Sequence, residues 1–411
     1  MRMDLDLLTE QILARCDELG RFSEAADCLT RTFLRPPMRQ VHQCLSRWLL
    51  EAGLQARLDA MGNLIGRHAA GSDPAQVFIV GSHVDTVPHA GNYDGVLGVL
   101  LGIAAAQALS GAALPHHLDV VAFSEEEGIR FRTPYLGSMA VCGVFDSQLL
   151  KLTDAGGITL AQALTDFGLD PTAISTAAYP PAAIAGYLEA HIEQGPILES
   201  ARLSLGVVEA IVGVSRRRLT FTGRAGHAGT TPMNERRDAL AGAAEFVTSV
   251  ERLTQTIPGL RATVGSLEVK PGAVNVIAGE ARLTLDLRHA EDAVREASLA
   301  KALERGHAIA GMRNLTCMIE MMADQPAAPC DKGLTAKLEM VVAAAGHKPY
   351  RMVSGAGHDA AVMSRHCPAT MLFLRSPGGI SHHPDESVRR EDVRAALDVM
   401  IRFLRQEIET N

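Results

Sequence analysis

The chain has 411 residues, a formal net charge of −8, 47% hydrophobic residues and 21% charged residues. This length allows two or three domains with a large core, and the composition is typical of a globular protein. The negative charge disfavours nucleic acid and anionic membranes as general partners, and 4% aromatic residues make a platform for stacked bases improbable.

Helical and strand patterns alternate over the first half of the chain, as in an open α/β sheet. The helical patterns lie at residues 1–35, 39–53, 96–109 and 159–167. The strand patterns lie at residues 55–60, 63–67, 77–80 and 117–124, with a further one from Tyr187 that stops before Gly195 and Pro196.

A histidine and two aspartates lie between the strand at 77–80 and the helix at 96–109. His83 and Asp85 follow the end of the strand, and Asp94 comes just before the helix. In an open α/β sheet, ligands bind at the edge where the carboxyl ends of the strands lie. Imidazole and carboxylate are the usual ligands of zinc or manganese, so the stretch predicts a metal site. The alternative is a satisfied histidine beside an aspartate that only caps the helix.

More acids and a second histidine reach the same edge on later strands. Three consecutive glutamates at 125–127 follow the strand at 117–124, and adjacent carboxylates repel one another unless a cation lies nearby. His191 and Glu193 arrive at the end of the next strand. The alternative for the glutamates is a solvated acidic turn.

The pattern changes near residue 213. The strands then lie at 217–222, 262–269, 282–288 and 315–321, and the helices at 235–253 and 292–309. This order predicts an α+β insert at 213–326 between two parts of one α/β domain, 1–212 and 327–411. After the insert come helices at 332–345 and 390–408, a helix opened by Gly357-His358-Asp359, a strand at 369–374 and a loop at 378–386.

The cysteines and the N-terminus indicate the compartment. The seven cysteines are scattered and form no C-x-x-C pair, which favours a reducing environment over a disulfide framework. The first residues carry acids where a signal peptide has bases. Apolar runs stay short of the ~20 residues that span a bilayer. We therefore expect a cytoplasmic protein without a membrane partner.

Seven ordered motifs resemble the M20 family of metallo-amidohydrolases, and within it the hydantoinase/carbamoylase branch. The resemblance covers almost the whole chain. It implies an α/β fold: an α/β/α-sandwich catalytic domain with an inserted α+β domain that forms a homodimer and acts as a lid. The motifs lie at residues 81–86 (Gly-Ser-His-Val-Asp-Thr), 93–95, 126–131, 191–195, 226–233 (Gly-His-Ala-Gly-Thr-Thr-Pro-Met), 354–360 and 379–382 (Gly-Ile-Ser-His).

The resemblance implies two divalent metal ions per subunit, either zinc or manganese, with cobalt or nickel also acceptable to such ligands. Asp94 would bridge the two ions. His83 and His191 would complete one site, and Glu127 and His382 would complete the other.

The resemblance also implies roles for the neighbours of these ligands. Asp85 would hold the ring of His83. Glu126 would be the general base, taking a proton from water and later passing one to the leaving nitrogen. Glu125 competes with the two glutamates that follow it, and His383 competes with the histidine before it.

Candidate substrate contacts come mainly from the insert. Arg288 would grip a substrate carboxylate with its planar guanidinium. Gln194 and Asn275 would add hydrogen bonds, and Gly357 would leave room for backbone contact. His227 would reach the active site of the partner subunit and stabilise an oxyanion. The alternative for Arg288 is a surface salt bridge, and the alternative for His227 is a histidine that only forms part of a turn.

The implied reaction is hydrolysis of the ureido (carbamoyl) C–N bond of a small carboxylic acid, with release of ammonia and carbon dioxide. Allantoate is the leading substrate, and an N-carbamoyl-L-amino acid or β-ureidopropionate is the runner-up. An M20 aminoacylase or exopeptidase would release no ammonia. A non-enzymatic binding protein would lack a base or a ligand, and the sequence lacks neither.

Overall fold

The computed structural model describes residues 4–70, 76–112, 114 and 116–409. The chain forms two compact units. The second unit is Ala210–Ala328, and the first unit consists of the residues before and after it. The limits expected from the sequence, 213 and 326, lie just inside the second unit. Among the described residues, the helices are too short or too polar to cross a membrane.

The described helices and strands are as follows, in chain order. The α-helices are α1 (Leu5–Gly20), α2 (Pro36–Glu51), α3 (Val96–Ala108), α4 (Leu136–Val141), α5 (Leu160–Asp166), α6 (Ile197–Ala201), α7 (Ala239–Thr256), α8 (Asp292–Met312), α9 (Lys332–Ala344), α10 (Ala360–Met363) and α11 (Arg390–Glu409). The β-strands are β1 (Gln55–Leu58), β2 (Leu64–His68), β3 (Val77–His83), β4 (His117–Phe123), β5 (Ile184–Ile192), β6 (Leu205–Ile211), β7 (Gly213–Thr222), β8 (Gly226–His227), β9 (Arg261–Lys270), β10 (Val276–Ile277), β11 (Glu280–His289), β12 (Thr316–Gln325), β13 (Ala328–Pro329), β14 (Arg351–Ser354) and β15 (Ala369–Leu374).

A mixed sheet forms the centre of the first unit. Its strand order is β1-β2-β4-β3-β5-β15-β6-β13, and β14 pairs with β6. β3 runs parallel to β4 and β5, and β15 runs parallel to β5. β2 and β6 are antiparallel to their neighbours β4 and β15. The parallel strands β3 and β15 are buried along their whole length, as expected for strands covered on both faces.

Alternate residues of β5 show that helices cover both faces. Leu188 and Ala190 belong to the main core, together with the buried side of α3. Glu189 points to the opposite face, where it accepts the N–H of Ala360 at the start of α10 at 2.9 Å. The α/β class expected from the sequence is therefore confirmed.

The second unit has its own core. Its sheet is antiparallel, in the order β12-β7-β11-β9, and α7 and α8 pack on it. Alternate residues of β11 are buried beneath these helices, namely Ala281, Leu283, Leu285 and Leu287. The helix expected from residue 235 begins at Ala239, because the Asp238 carboxylate caps the N–H groups of Leu240 and Ala241 at 3.0 and 3.2 Å.

The prediction of a helix over residues 1–35 is wrong beyond Gly20, where α1 ends. The Ser23 hydroxyl donates to the carbonyl of Cys28 at 2.6 Å and accepts the N–H of Thr30 at 2.9 Å, which closes an irregular loop. Strands β6, β13 and β14 were missed. They are short or depend on partners far away in the chain, so local periodicity gives little sign of them.

Candidate active site

Two histidines at the ends of parallel strands present the same ring nitrogen to a common point. His83 ends β3, and its Nδ1 lies 3.0 Å from the carbonyl oxygen of Asp85. His191 lies near the end of β5, and its Nδ1 lies 2.9 Å from the carbonyl oxygen of Ile192. A backbone carbonyl requires a proton on Nδ1, so each Nε2 keeps a lone pair for a ligand. The Nε2 atoms are 3.4 Å apart.

The Asp94 carboxylate lies between two groups of side chains. Its Oδ1 is 3.2 Å from Nε2 of His83 and 3.2 Å from Nε2 of His191. Its Oδ2 is 3.4 Å from Nε2 of His382, which is itself 3.7 Å from Oε1 of Glu127. Each oxygen of one carboxylate thus faces a different set of donors, as in two-metal sites that share a carboxylate.

The donor set suits divalent cations. Two of the groups that could hold an ion share Asp94: His83 with His191, and Glu127 with His382. Within each group the candidate ligand atoms lie within 4.8 Å of one another. Mixed imidazole and carboxylate ligands fit zinc or manganese.

The charge balance of the site also favours cations. Burial raises the pKa of Glu126 well above its usual range, and the carboxylate of Glu127 raises it further. Burial, followed by the charge of Asp94, raises the pKa of Glu127 to about 7. Burial also opposes ionisation of Asp94, but the neighbouring histidines outweigh it and hold its pKa well below the usual range. The buried site crowds carboxylates together, and bound cations would relieve this repulsion.

The three consecutive glutamates have different surroundings. Glu125 has a left-handed backbone with φ of 53°, and its Oε1 accepts the N–H groups of Arg130 and Phe131 at 3.1 Å each. Glu126 and Glu127 both belong to a candidate ligand group with His83. Glu125 therefore holds the loop together, and the other two carboxylates face the site.

The structure gives Asp85 a wider role than the sequence suggested. Its carbonyl holds the ring of His83, whereas its Oδ1 is 3.8 Å from that ring nitrogen, beyond hydrogen-bonding distance. The carboxylate instead accepts the N–H groups of Glu126 and Glu127 at 3.1 Å each. One residue thus orients a ring on β3 and the acidic loop after β4.

The two neighbouring histidines of the last loop are clearly distinguished. His382 faces Asp94 and Glu127. The ring of His383 is 58% exposed, and its Nδ1 is 3.6 Å from Oδ2 of Asp385. The geometry favours His382 as the ligand.

We expect His382→Ala to lose one of two bound metal ions and His383→Ala to keep both. The reason is that only the first ring lies beside the carboxylates of the site. Metal analysis of both purified variants measures this directly. Loss of an ion from His383→Ala, with His382→Ala unchanged, would reverse the assignment.

The residues after His191 divide between structure and site. The Glu193 carboxylate accepts the N–H groups of Ile197 and Leu198 at 2.7 and 2.8 Å, so it caps α6. Nε2 of Gln194 donates to Oδ2 of Asp94 at 2.7 Å. Its buried Oε1 has no hydrogen-bond partner among the described residues, which fits an acceptor kept for a substrate N–H.

Gly357 lies against the phenol of Tyr135. A Cβ at residue 357 would collide with the Tyr135 hydroxyl, so any other residue there would require the phenol to move. Tyr135 itself has a left-handed backbone with φ of 68°. A bulky residue in this conformation is uncommon and is often found at functional sites.

The sequence analysis did not single out two buried acids, Glu189 and Asp359. Glu189 accepts the hydroxyls of Ser82 at 3.2 Å and Tyr187 at 3.0 Å. Asp359 accepts the Ser138 hydroxyl at 2.5 Å. A signal did exist for Glu189, because it lies two residues before His191 and therefore on the same face of β5.

The other expected substrate residues, His227, Asn275 and Arg288, lie in the second unit. His227 on β8 pairs with Val276, and the N–H of Ala228 donates to the carbonyl of Asn275 at 2.9 Å, which brings His227 and Asn275 together. Arg288 lies on β11, where its Nε and Nη2 donate to the Asp286 carboxylate at 2.7 and 3.0 Å.

Comparison with known proteins places the chain in a family. Residues 79–406 match Peptidase family M20/M25/M40. The chain belongs to the M20 family. It is 37% identical to allantoate deiminase of Arabidopsis thaliana, over 98% of this chain and 83% of that protein. It is 36% identical to an N-carbamoyl-L-amino acid amidohydrolase of Geobacillus stearothermophilus, over 95% of this chain and 96% of that protein.

The fold agrees with the M20 assignment. The chain superposes on a hydantoinase/carbamoylase family amidase of Burkholderia multivorans with a TM-score of 0.91 and 31% identity, over 97% of this chain and 98% of that one. The family expected from the sequence motifs is confirmed, and the protein is an M20 hydrolase.

Proposed function

We propose that this M20 hydrolase is a metal-dependent amidohydrolase that cleaves the ureido C–N bond of allantoate, releasing ammonia and carbon dioxide. The observation that carries the proposal is the Asp94 carboxylate, whose two oxygens face separate sets of candidate ligands. The likeness to the Arabidopsis allantoate deiminase supports the choice of substrate.

The proposed ligands divide into two sites that share Asp94. His83 and His191 would hold one ion, and Glu127 and His382 would hold the other. Two divalent ions bound there would polarise the substrate carbonyl and activate a water molecule. Zinc or manganese is the proposed metal.

Glu126 is the proposed general base. Its Oε2 is 4.0 Å from Nε2 of His83, so it lies beside the ligands. It would take a proton from the attacking water as the C–O bond forms. It would then deliver that proton to the leaving nitrogen, and ammonia departs. The carbamate that remains decomposes to carbon dioxide and an amine.

Arg288 is the proposed clamp for the substrate carboxylate. Asp286 fixes its guanidinium through two hydrogen bonds and also accepts Nε of Arg216 at 2.8 Å. A guanidinium held in this way is already ordered before substrate binds, which lowers the entropic cost of gripping a carboxylate.

We expect Arg288→Lys to raise KM roughly 10- to 100-fold with a smaller change in kcat, because an ammonium cannot form two parallel hydrogen bonds to a carboxylate. Arg216→Lys is the matched control, since Arg216 pairs with the same aspartate. Steady-state kinetics of both variants measure the difference. An equal rise of KM in both variants would show that Arg288 is not the clamp.

His227 is the proposed donor to the developing oxyanion, acting across a homodimer. Its exposed ring accepts the N–H of Gly229 at Nδ1 at 3.1 Å, so the proton lies on Nε2, where it can be donated. The edge strand β12 exposes Met318, Met321 and Met322, and such an apolar patch supports an interface on this unit.

A mixture of two inactive variants tests the dimer. His227→Ala is expected to keep its metal and lose turnover, and so is Glu126→Gln. Subunits exchanged between them should recover part of the activity if His227 acts on the partner subunit. No recovery in a verified mixed dimer would count against action across the interface.

The second candidate substrate is an N-carbamoyl-L-amino acid, which the 36% identity to the Geobacillus enzyme favours. An ammonia-release assay with allantoate and a panel of N-carbamoyl-L-amino acids, with added manganese or zinc, decides between them. We expect kcat/KM to be highest for allantoate. Absence of ammonia from both classes, with cleavage of acyl amides or peptides, would overturn the proposal.

A further inference from the structure

Glu386 connects the segment that carries Asp94 to the loop that carries His382. The side chain is buried. Its Oε1 accepts the backbone N–H groups of Tyr93 at 2.9 Å and Asp94 at 3.0 Å. Its Oε2 accepts the hydroxyl of Ser381 at 3.0 Å. One carboxylate therefore ties together two segments almost 300 residues apart in sequence.

The segment before Asp94 is shaped around this carboxylate. A Cβ on Gly91 would collide with the Glu386 side chain, so a glycine there lets the segment wrap closely around it. The Ser381 hydroxyl also lies 2.9 Å from Oδ2 of Asp94. It thus stands between the Glu386 carboxylate and the carboxylate proposed to bridge the metal ions.

The two proposed metal sites depend on this connection to different degrees. His83 and His191 end buried strands, and each ring is held by a carbonyl of its own segment. His382 lies on a loop, and its side chain is 48% exposed. The hydrogen bonds of Glu386 go to the backbone next to and at Asp94 and to this loop, and these reach the two strand-end histidines only by way of Asp94.

We propose that Glu386 is a positioning residue that holds Asp94 and His382 in register, so that the ion between Asp94, Glu127 and His382 binds tightly. Glu386 is not in any candidate ligand group of the described residues, so it acts through its neighbours. The inference rests on the proposed dinuclear centre. The inference adds that Glu386 supports the site at His382, whereas the rings of His83 and His191 are held by carbonyls of their own segments.

Zinc titration of the metal-free protein tests this. Glu386→Ala and Glu386→Gln are each titrated with Zn²⁺ by calorimetry and by competition with a chromogenic chelator. We expect binding of one ion to weaken by roughly 10- to 100-fold, the usual effect of losing a residue that orients ligands. The other ion, which shares Asp94 but not the loop of His382, should be affected less. Asp385→Asn is the control, because this neighbouring carboxylate is 78% exposed and should alter neither site.

Two further measurements separate positioning from general stability. Excess Zn²⁺ should restore kcat of Glu386→Gln, with KM for the substrate unchanged. Urea unfolding of the metal-free variant should match that of the wild type. Equal weakening of both ions together with lower metal-free stability would overturn the proposal, and so would unchanged binding in both variants. Failure of the wild type to bind two ions would instead refute the dinuclear centre itself.

Discussion

Replacing Asp94 with asparagine is expected to release both metal ions and to lower activity by about 10⁴-fold or more, out of the ~10⁶-fold or greater acceleration that enzymes provide. Oδ1 of Asp94 faces His83 and His191, and Oδ2 faces His382. The amide keeps the shape but loses the charge and one acceptor oxygen, so it cannot bridge two ions and is a weaker ligand even for one.

Metal analysis and the ammonia assay measure this variant together. Asp146→Asn serves as a control of the same chemistry, because Asp146 is exposed and only caps a short 3₁₀-helix, which asparagine also caps well. An Asp94→Asn protein that keeps both ions after dialysis would show that this carboxylate is not the bridge.

Replacing Glu126 with glutamine is expected to lower kcat by about 10²- to 10⁴-fold while both ions remain bound. Glutamine cannot accept the proton of the attacking water. Because burial raises the pKa of Glu126, the carboxyl becomes protonated as the pH falls, and the wild-type kcat should fall with it on the acid side. The Glu126→Gln variant should not show this fall of kcat at acidic pH.

Glu125→Gln is the informative comparison for this prediction. Its amide oxygen can still accept the N–H groups of Arg130 and Phe131, so the loop should keep its shape and most of its activity. Rate–pH profiles of both variants, with metal content measured on the same samples, give the answer. A larger loss of kcat in Glu125→Gln than in Glu126→Gln would exchange the two roles.

The sequence was sufficient to predict which strand ends bring the candidate ligands together. His83 and His191 follow apolar runs, and the carboxyl ends of parallel strands meet at one edge of a sheet. The order of elements therefore brought the expected ligands together before any distance was known. The family motifs then divided them between two ions, and the structure places the same side chains around Asp94.

The roles of the supporting acids could not be predicted in the same way. Whether Glu125 or its neighbours face the site depends on a left-handed backbone and on two N–H groups five and six residues further along. The hold of Glu386 on the segment of Asp94 spans 292 residues and shows no periodicity. Such contacts depend on tertiary packing, which a single sequence does not reveal.

Elements whose partners are distant in the chain show the same limit. β6 pairs antiparallel with β15, although more than 150 residues separate them in the chain. The loop after Gly20 is fixed by the buried Arg31 side chain, whose Nε donates to the carbonyl of Val84 at 2.8 Å. Local propensity carries no information about either partner, so the helix was extended too far and the strand was missed.

Anomalous diffraction from crystals grown with zinc tests the central claim most directly. The account predicts two peaks ~3.5–4 Å apart on either side of Asp94. One would lie ~2.0–2.2 Å from Nε2 of His83 and of His191, and the other at that distance from Glu127 and His382. A single peak, or peaks that share no oxygen of Asp94, would contradict it.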